Sequence, residues 1–300
     1  MKIKSYLKFK INSKIFISII ASIVIIFTIT FYSQNQKFAK AFQNSTKQSI
    51  KLPIIMYHFI SKGEDINNKF TISAKTFEED LKYLSENGYT TILVNDLINY
   101  TENGLDLPEK PIILTFDDGA YNNYCYAYPL AQKYNAKFIF SPIAKECDKY
   151  SSIDDENPTY AYTNWEKIKE MSESGLVEIQ NHTYNMHKIN SPRTGCSKLK
   201  TENFENYKSK LSSDLEKAQN LISEKTNFTP TAIVYPFGAF DKNTEKVVKS
   251  LGFKASFTCE EKVNIINRNP ETLYSLGRFL RPPYISSEKF FKKLEQTHKT

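Results

Sequence analysis

Short apolar runs of four or five residues, each bounded by polar or turn-forming residues, alternate along this chain with segments of helical periodicity. That alternation leaves few folds open. The runs predict strands at Ile54–Tyr57, Thr91–Val94, Ile112–Phe116, Phe138–Ser141, Val177–Gln180, Ala232–Tyr235 and Ala255–Thr258. Between them, apolar residues recur at helical spacing: Phe77, Leu81 and Leu84 before Gly88; Trp165, Ile168 and Met171 before Gly175; Leu211, Leu215, Ala218 and Ile222; Val247, Val248 and Leu251 before Gly252. Strand and helix repeated in this way predict an α/β fold with a parallel sheet, closed or nearly closed. The residues from 52 onward can bury one sizeable core and are read as one domain.

Two of the predicted strands end in residues that carry chemistry. Ile112–Phe116 runs into Asp117-Asp118-Gly119, and Val177–Gln180 runs into Asn181-His182, with His187 five positions on. Each motif alone is ordinary, because Asp-Asp-Gly is a common turn and paired histidines are usually surface residues. Together they occupy equivalent strand ends, where α/β folds place their sites. One carboxylate and two histidines make a three-ligand divalent site with a position left open, and the second carboxylate remains free beside it. A metal of this kind lowers the pKa of a water and polarises a carbonyl, while a non-ligating carboxylate accepts the proton. Neighbouring side chains on a strand point to opposite faces, so Asp117 and Asp118 can share one site only if the strand has ended in a turn, which Gly119 supplies. On a helix the second histidine would be rotated by about 140° from the first, so His182 and His187 are placed on a strand-end loop.

Thr115–Gly119 and His182–His187 resemble the first two motifs of the polysaccharide deacetylases, the NodB-homology or carbohydrate esterase family 4 enzymes. Leu52–Ile60 resembles the opening strand of the branch containing the poly-N-acetylglucosamine deacetylases. The resemblance runs from about Leu52 to the C-terminus. It implies a distorted, TIM-like (β/α) barrel of seven or eight units and a metal held by Asp118, His182 and His187. Asp117 would be the general base, and the reaction the removal of acetyl groups from an N-acetylglucosamine-containing envelope polysaccharide. Zn2+ is the expected ion, with Co2+, Ni2+ or Fe2+ as alternatives. Val234-Tyr235-Pro236-Phe237-Gly238 is similar to the family's third motif, which puts Pro236 and Phe237 at the substrate and the Phe237 N–H at the oxyanion. Val234 stands where that motif carries an arginine, so Arg278 or Arg281 is expected to supply the charge, Arg278 counted with the substrate-binding set. The string Arg281-Pro282-Pro283-Tyr284 mimics the motif but is read as a turn before the last helix. The late motifs that carry the usual general acid are absent. Of the four histidines two are assigned and His298 is near the chain end, which leaves His58, after Ile54–Tyr57, as the candidate acid.

Lys2, Lys4, Lys8, Lys10 and Lys14 precede the uncharged stretch 15–32. These predict a basic cytoplasmic tail over 1–14, a transmembrane signal anchor over 15–32, a polar linker over 33–51 and an extracytoplasmic catalytic domain over 52–300, with secretion after cleavage as the alternative. The first 51 residues hold nine lysines and no acid, leaving 31 basic against 33 acidic residues in the remainder. The basic balance therefore belongs to the N-terminal segment and does not mark a nucleic-acid-binding domain. The expected partners are an acetylated glycan and the membrane, with a monomeric enzyme. Long irregular stretches at 142–163 and 188–201 are expected to wall the substrate groove. Cys147 and Cys196 could tie them together, and free thiols are the alternative. Three other readings use the same residues: a non-haem Fe(II) oxygenase, an inactive glycan-binding relative and an acetyl-ester hydrolase.

Overall fold

In the computed structural model, the described residues are 25–32 and 49–297, apart from 65, 67, 154, 190 and 191. Residues 1–48 and 49–300 form separate units. In the first unit, residues 25–32 are helical. No helix among the described residues is long and apolar enough to cross a membrane. This contradicts the expected transmembrane helix over 15–32, of which residues 25–32 are described. Residues 1–24 of the expected tail and anchor, and 33–48 of the linker, lie outside the described residues.

The second unit is organised by a ring of seven parallel strands. Phe279–Leu280 pairs with Ile54–Tyr57, which pairs with Pro111–Asp118, then Phe138–Pro142, then Val177–Ile179. A parallel bridge between Asn181 and Ile233 carries the ring into Ala232–Val234, which pairs with Ala255–Phe257. A second bridge, Phe257 to Leu276, returns it to the segment that enters Phe279–Leu280. Two of the seven junctions thus rest on single bridges, which is the distortion of the barrel.

Side chains alternate faces along each strand, and the two faces enter different cores. Ile55, Tyr57, Leu114, Phe116, Phe138, Phe140, Val177 and Ile179 face outward onto the helices. Ile54, Ile113, Ile139, Val234, Ala255 and Phe257 fill the interior. The expected helices occupy Ala74–Glu86, Trp165–Glu173, Phe204–Thr226 and Lys242–Ser250. Arg281–Tyr284 is the turn ahead of the Ser287–Thr297 helix.

The structure departs from the sequence reading at Thr91–Val94, where the strand is only Thr90–Thr91 and a helix begins at Val94. The cause is capping. Asp96 accepts the Leu93 N–H at 2.9 Å, and Glu178 accepts the Val94 N–H at 2.6 Å, so an apolar run with strand character starts a helix. This Val94–Glu102 helix packs Leu97, Ile98 and Tyr100 into the interior core. The supposedly irregular stretch 142–163 contains the Ala144–Ile153 helix. All four cysteines are free. Cys147 and Cys196 are buried in different cores, which is why the suggested pairing does not form.

Candidate active site

Continuing the inward face of each strand in steps of two residues past its interior residues reaches the chemistry: Met56 and His58, Thr115 and Asp117, Gln180 and His182, Cys259 after Phe257. One end of the barrel is therefore lined by polar groups, above the apolar layer of Ile54, Ile113, Ile139, Val234 and Phe257. Asp118 would point outward by the same alternation. Its φ of 68° and the hydrogen bond from the Gly119 N–H to the Asp117 carbonyl, 2.9 Å, fold the chain back so that it joins the site. Gly119 has φ 88°, and a Cβ there would come within 2.9 Å of the Pro142 Cβ, so the turn demands glycine.

Asp118, His182 and His187 converge so closely that one ligand atom from each lies within 4.8 Å of the others. The Asp118 Oδ1 is 3.4 Å from the His182 Nε2 and 3.1 Å from the His187 Nε2. The His182 Nδ1 is 2.7 Å from the Val234 carbonyl oxygen. That nitrogen must carry the proton, which leaves the Nε2 lone pair facing Asp118. Accordingly the Asp118 Oδ1 is buried with no hydrogen-bond donor, although two ring nitrogens are near it. Burial works to raise the Asp118 carboxyl, but hydrogen bonds from His182 and His187 and their charge, whenever these rings carry the extra proton, hold it below the usual carboxylate range. An ionised oxygen and lone-pair nitrogens aimed at one point fit a divalent cation.

The loop between the histidines is fixed from outside the barrel. Asp214, on the Phe204–Thr226 helix, accepts the N–H of Tyr184 at 2.8 Å with one oxygen and that of Asn185 at 2.9 Å with the other. Lys217 lies 3.8 Å over the Tyr184 ring. Asn181 faces outward and donates to the Leu215 carbonyl while accepting the Thr183 N–H.

Asp117 is buried and held by Arg278 through two parallel bonds, Nη1 to Oδ1 and Nη2 to Oδ2, both 2.8 Å. Burial would raise this carboxyl, but the Arg278 charge, assisted by His182, more than offsets it and the pKa is lowered. Arg278 also donates to the Thr258 carbonyl and to Thr115 Oγ1. It is fully buried and does not line the cleft. This corrects its placement among substrate-binding residues: the guanidinium faces Asp117, not a ligand. Arg281, the other candidate, is bound to Asp80.

The cleft over these groups has a volume of about 510 Å³. Asp117, Asp118, His182 and His187 are on its floor with His58 beside them; Phe59, Phe70 and Phe237 give it aromatic walls, and Lys69 and Glu261 are charged members of its lining. Phe70 and Phe237 are each 41% exposed, an unusual state for phenylalanine that leaves ring surface free for a ligand. Phe237 has φ 59° and ψ 12°, and its ring centroid is 4.3 Å from that of His187. Pro236, expected at the substrate, is buried outside the lining; it forms the Pro236–Gly238 turn that presents Phe237. His58 has a buried Nδ1 without a partner, and burial lowers its pKa despite the nearby Asp117 and Asp118. His298 lies outside the described residues.

Asp214, Cys259, Phe70 and the Asn123 side chain, which donates to the His58 carbonyl at 2.8 Å, were not singled out from the sequence. Cys259 was findable, being two residues past the inward-facing Phe257. Asp214 carries no such signal, because nothing in a helix surface pattern says which carboxylate reaches a loop.

The polysaccharide deacetylase family profile matches residues 104–256, half of the chain. A provisionally assigned polysaccharide deacetylase of Bacillus subtilis, YxkH, is 28% identical over 83% of this chain and 78% of its own. The poly-β-1,6-N-acetyl-D-glucosamine N-deacetylase of Staphylococcus aureus is 25% identical over 79% of this chain and 77% of its own. A de-N-acetylase structure from Aggregatibacter actinomycetemcomitans superposes with a TM-score of 0.68 at 24% identity, covering 83% of this chain and all of that one, a likeness of fold. The matched segment contains Asp117, Asp118, His182 and His187, and on that ground this chain is a member of the polysaccharide deacetylase family.

Proposed function

We propose that this hydrolase removes N-acetyl groups from an N-acetylglucosamine polymer of the cell envelope, with poly-β-1,6-N-acetylglucosamine the leading candidate, and that it requires one divalent ion. An envelope polymer as substrate would place the domain outside the cytoplasm. The substrate class is supported by the Staphylococcus aureus relative, which matches most of both chains. The observation that carries the metal requirement is the Asp118 Oδ1, buried without a donor between two imidazole nitrogens.

A divalent ion held by Asp118, His182 and His187, Zn2+ first among the candidates, would supply an activated water and a Lewis acid for the acetamide carbonyl. Asp117 accepts the proton of the attacking water. Arg278 keeps it ionised and fixes its plane, since both oxygens are pinned at 2.8 Å. The Phe237 N–H is assigned to the developing oxyanion. His58, beside Asp117 in the cleft, is assigned to protonate the departing amine, which must leave as a neutral species. Acetate and a free sugar amine result. Phe70 and Phe237 hold the pyranose against the floor, and their exposed rings suit its C–H face.

Purified protein should release acetate from β-1,6-linked N-acetylglucosamine oligomers. Release from peptidoglycan alone would redirect the substrate, and release from O-acetylated sugars alone would make the enzyme an esterase and refute the reading.

A further inference from the structure

Phe59 borders two depressions. One is the catalytic cleft; the other is a groove of about 280 Å³ whose walls include Ser61, Lys62, Thr71, Asn122, Tyr126 and Thr159. Phe59, Ser61 and Thr71 share a face because Phe59–Ser61 pairs in parallel with Thr71–Ser73, Phe59 opposite Thr71. The groove is tied together from beneath. Asn122, buried, accepts the Ile60 N–H at 3.1 Å and donates to the Pro158 carbonyl at 3.2 Å, joining floor to far wall with one side chain. Its neighbour Asn123 donates to the His58 carbonyl, so the same dipeptide anchors the groove and one side of the cleft. Tyr126 belongs to a π-helical turn, Asn123–Ala127, a rare geometry that recurs at functional sites.

The lining has the chemistry of a sugar site. Two aromatic rings suit the C–H faces of a pyranose, four hydroxyls can bond its rim, and among the described lining residues Lys62 is the only charged one, with no carboxylate. The Lys62 charge disfavours an ammonium and accepts a neutral acetamide. We propose that this groove is a glycan subsite that holds a still-acetylated neighbour of the reacting sugar, so that the enzyme discriminates by chain length and against a glucosamine in that position. This rests on the N-deacetylase reading and adds to it the extent of the substrate and the acetylation state of its neighbour.

The test measures kcat/KM for acetate release from β-1,6-linked N-acetylglucosamine monomer to pentamer, and from a tetramer in which one unit is glucosamine, with an activated aryl acetate run alongside. The natural protein should gain with length and should prefer the fully acetylated tetramer. Tyr126→Ala should reduce the tetramer-to-monomer ratio by about five- to tenfold. Because Tyr126 also packs partly against the core, Lys62→Glu, at an exposed position, serves as the second variant; it should narrow the preference for the fully acetylated tetramer by about threefold or more. Rates independent of length, equal proportional losses on monomer and tetramer in Tyr126→Ala, or an unchanged preference in Lys62→Glu would overturn the subsite. Turnover of the aryl acetate with no acetate from any oligomer would overturn the N-deacetylase reading itself, and the subsite with it.

Discussion

Replacing Arg278 with methionine isolates what the guanidinium does for Asp117. Methionine fills much of the space but carries no charge, so the carboxylate, 2% exposed, loses both 2.8 Å bonds and stays buried. Removing one partner of such a pair costs about 3–5 kcal/mol, because the remaining charge is uncompensated. Taking up a proton is the escape, and at about 1.4 kcal/mol per pH unit the Asp117 carboxyl should rise by roughly two to three units. The sign of the stability change then reverses. In the natural protein the Asp117 pKa is lowered, so its contribution is present above the unfolded carboxyl pKa and is lost as pH falls through the folded value. In Arg278→Met the folded pKa is raised, and the contribution present in acid is lost as pH rises through it. Urea unfolding should therefore find the variant weaker at about pH 7.5 than at about pH 5, a slope this pair does not produce in the natural protein. The acid limb of kcat/KM for acetate release should move up by the same two to three units, roughly. The double variant Asp117→Asn/Arg278→Met should recover much of the lost stability, since no buried charge is left, and the bond to the Thr258 carbonyl cancels in the cycle. An acid limb that stays in place, with turnover still reduced, would show that Arg278 does not set the protonation of Asp117 and would remove the basis for Asp117 as the base.

Asp214→Ala should weaken metal affinity by about ten- to hundredfold, measured by chelator competition, because two backbone N–H groups of the ligand loop lose their acceptor; unchanged affinity would make Asp214 a simple loop contact. Glu178, in the barrel interior with its carboxyl pushed up to about 7 by burial against the pull of the Val94 and Asn95 N–H groups, contributes stability below the unfolded pKa that is lost as pH rises through about 7. Glu178→Gln should flatten the fall in unfolding free energy over that range, on the order of 3 kcal/mol, and a slope identical to the natural protein would refute the titration. His58→Ala should cut turnover of N-acetyl sugars far more than that of an activated aryl acetate, whose leaving group needs little protonation. Equal losses with metal retained would make His58 structural.

The parts of this molecule that follow from local rules could be read in the sequence. Short apolar runs bounded by polar or turn-forming residues mark the ring strands at Ile54–Tyr57, Phe138–Pro142 and Ala255–Phe257, and the need for two adjacent aspartates to share a site implies the turn that Asp118 makes with positive φ. What escaped was set by contacts distant in the chain. Thr91–Val94 has the composition of a strand, but Glu178, more than eighty residues away, caps it into a helix. Arg278 could be suspected of replacing a missing charge, yet only the return of the chain through the Phe257–Leu276 bridge aims it at Asp117 and away from the cleft. Tyr126 and Asn122 sit just after the Asp-Asp-Gly motif but carry no pattern of their own; the groove exists because the 158–159 turn closes over them.

The most direct measurement strips the protein with a chelator and titrates Zn2+ back while following both bound metal and acetate released from β-1,6-linked N-acetylglucosamine oligomers, in the natural protein, Asp118→Asn and Asp117→Asn. Activity should be absent in the stripped protein and return in proportion to one ion per chain. Asp118→Asn should fail to bind the ion, and Asp117→Asn should bind it fully while turning over about 10²- to 10⁴-fold more slowly. Full turnover by the stripped protein, or full metal binding by Asp118→Asn, would contradict the account.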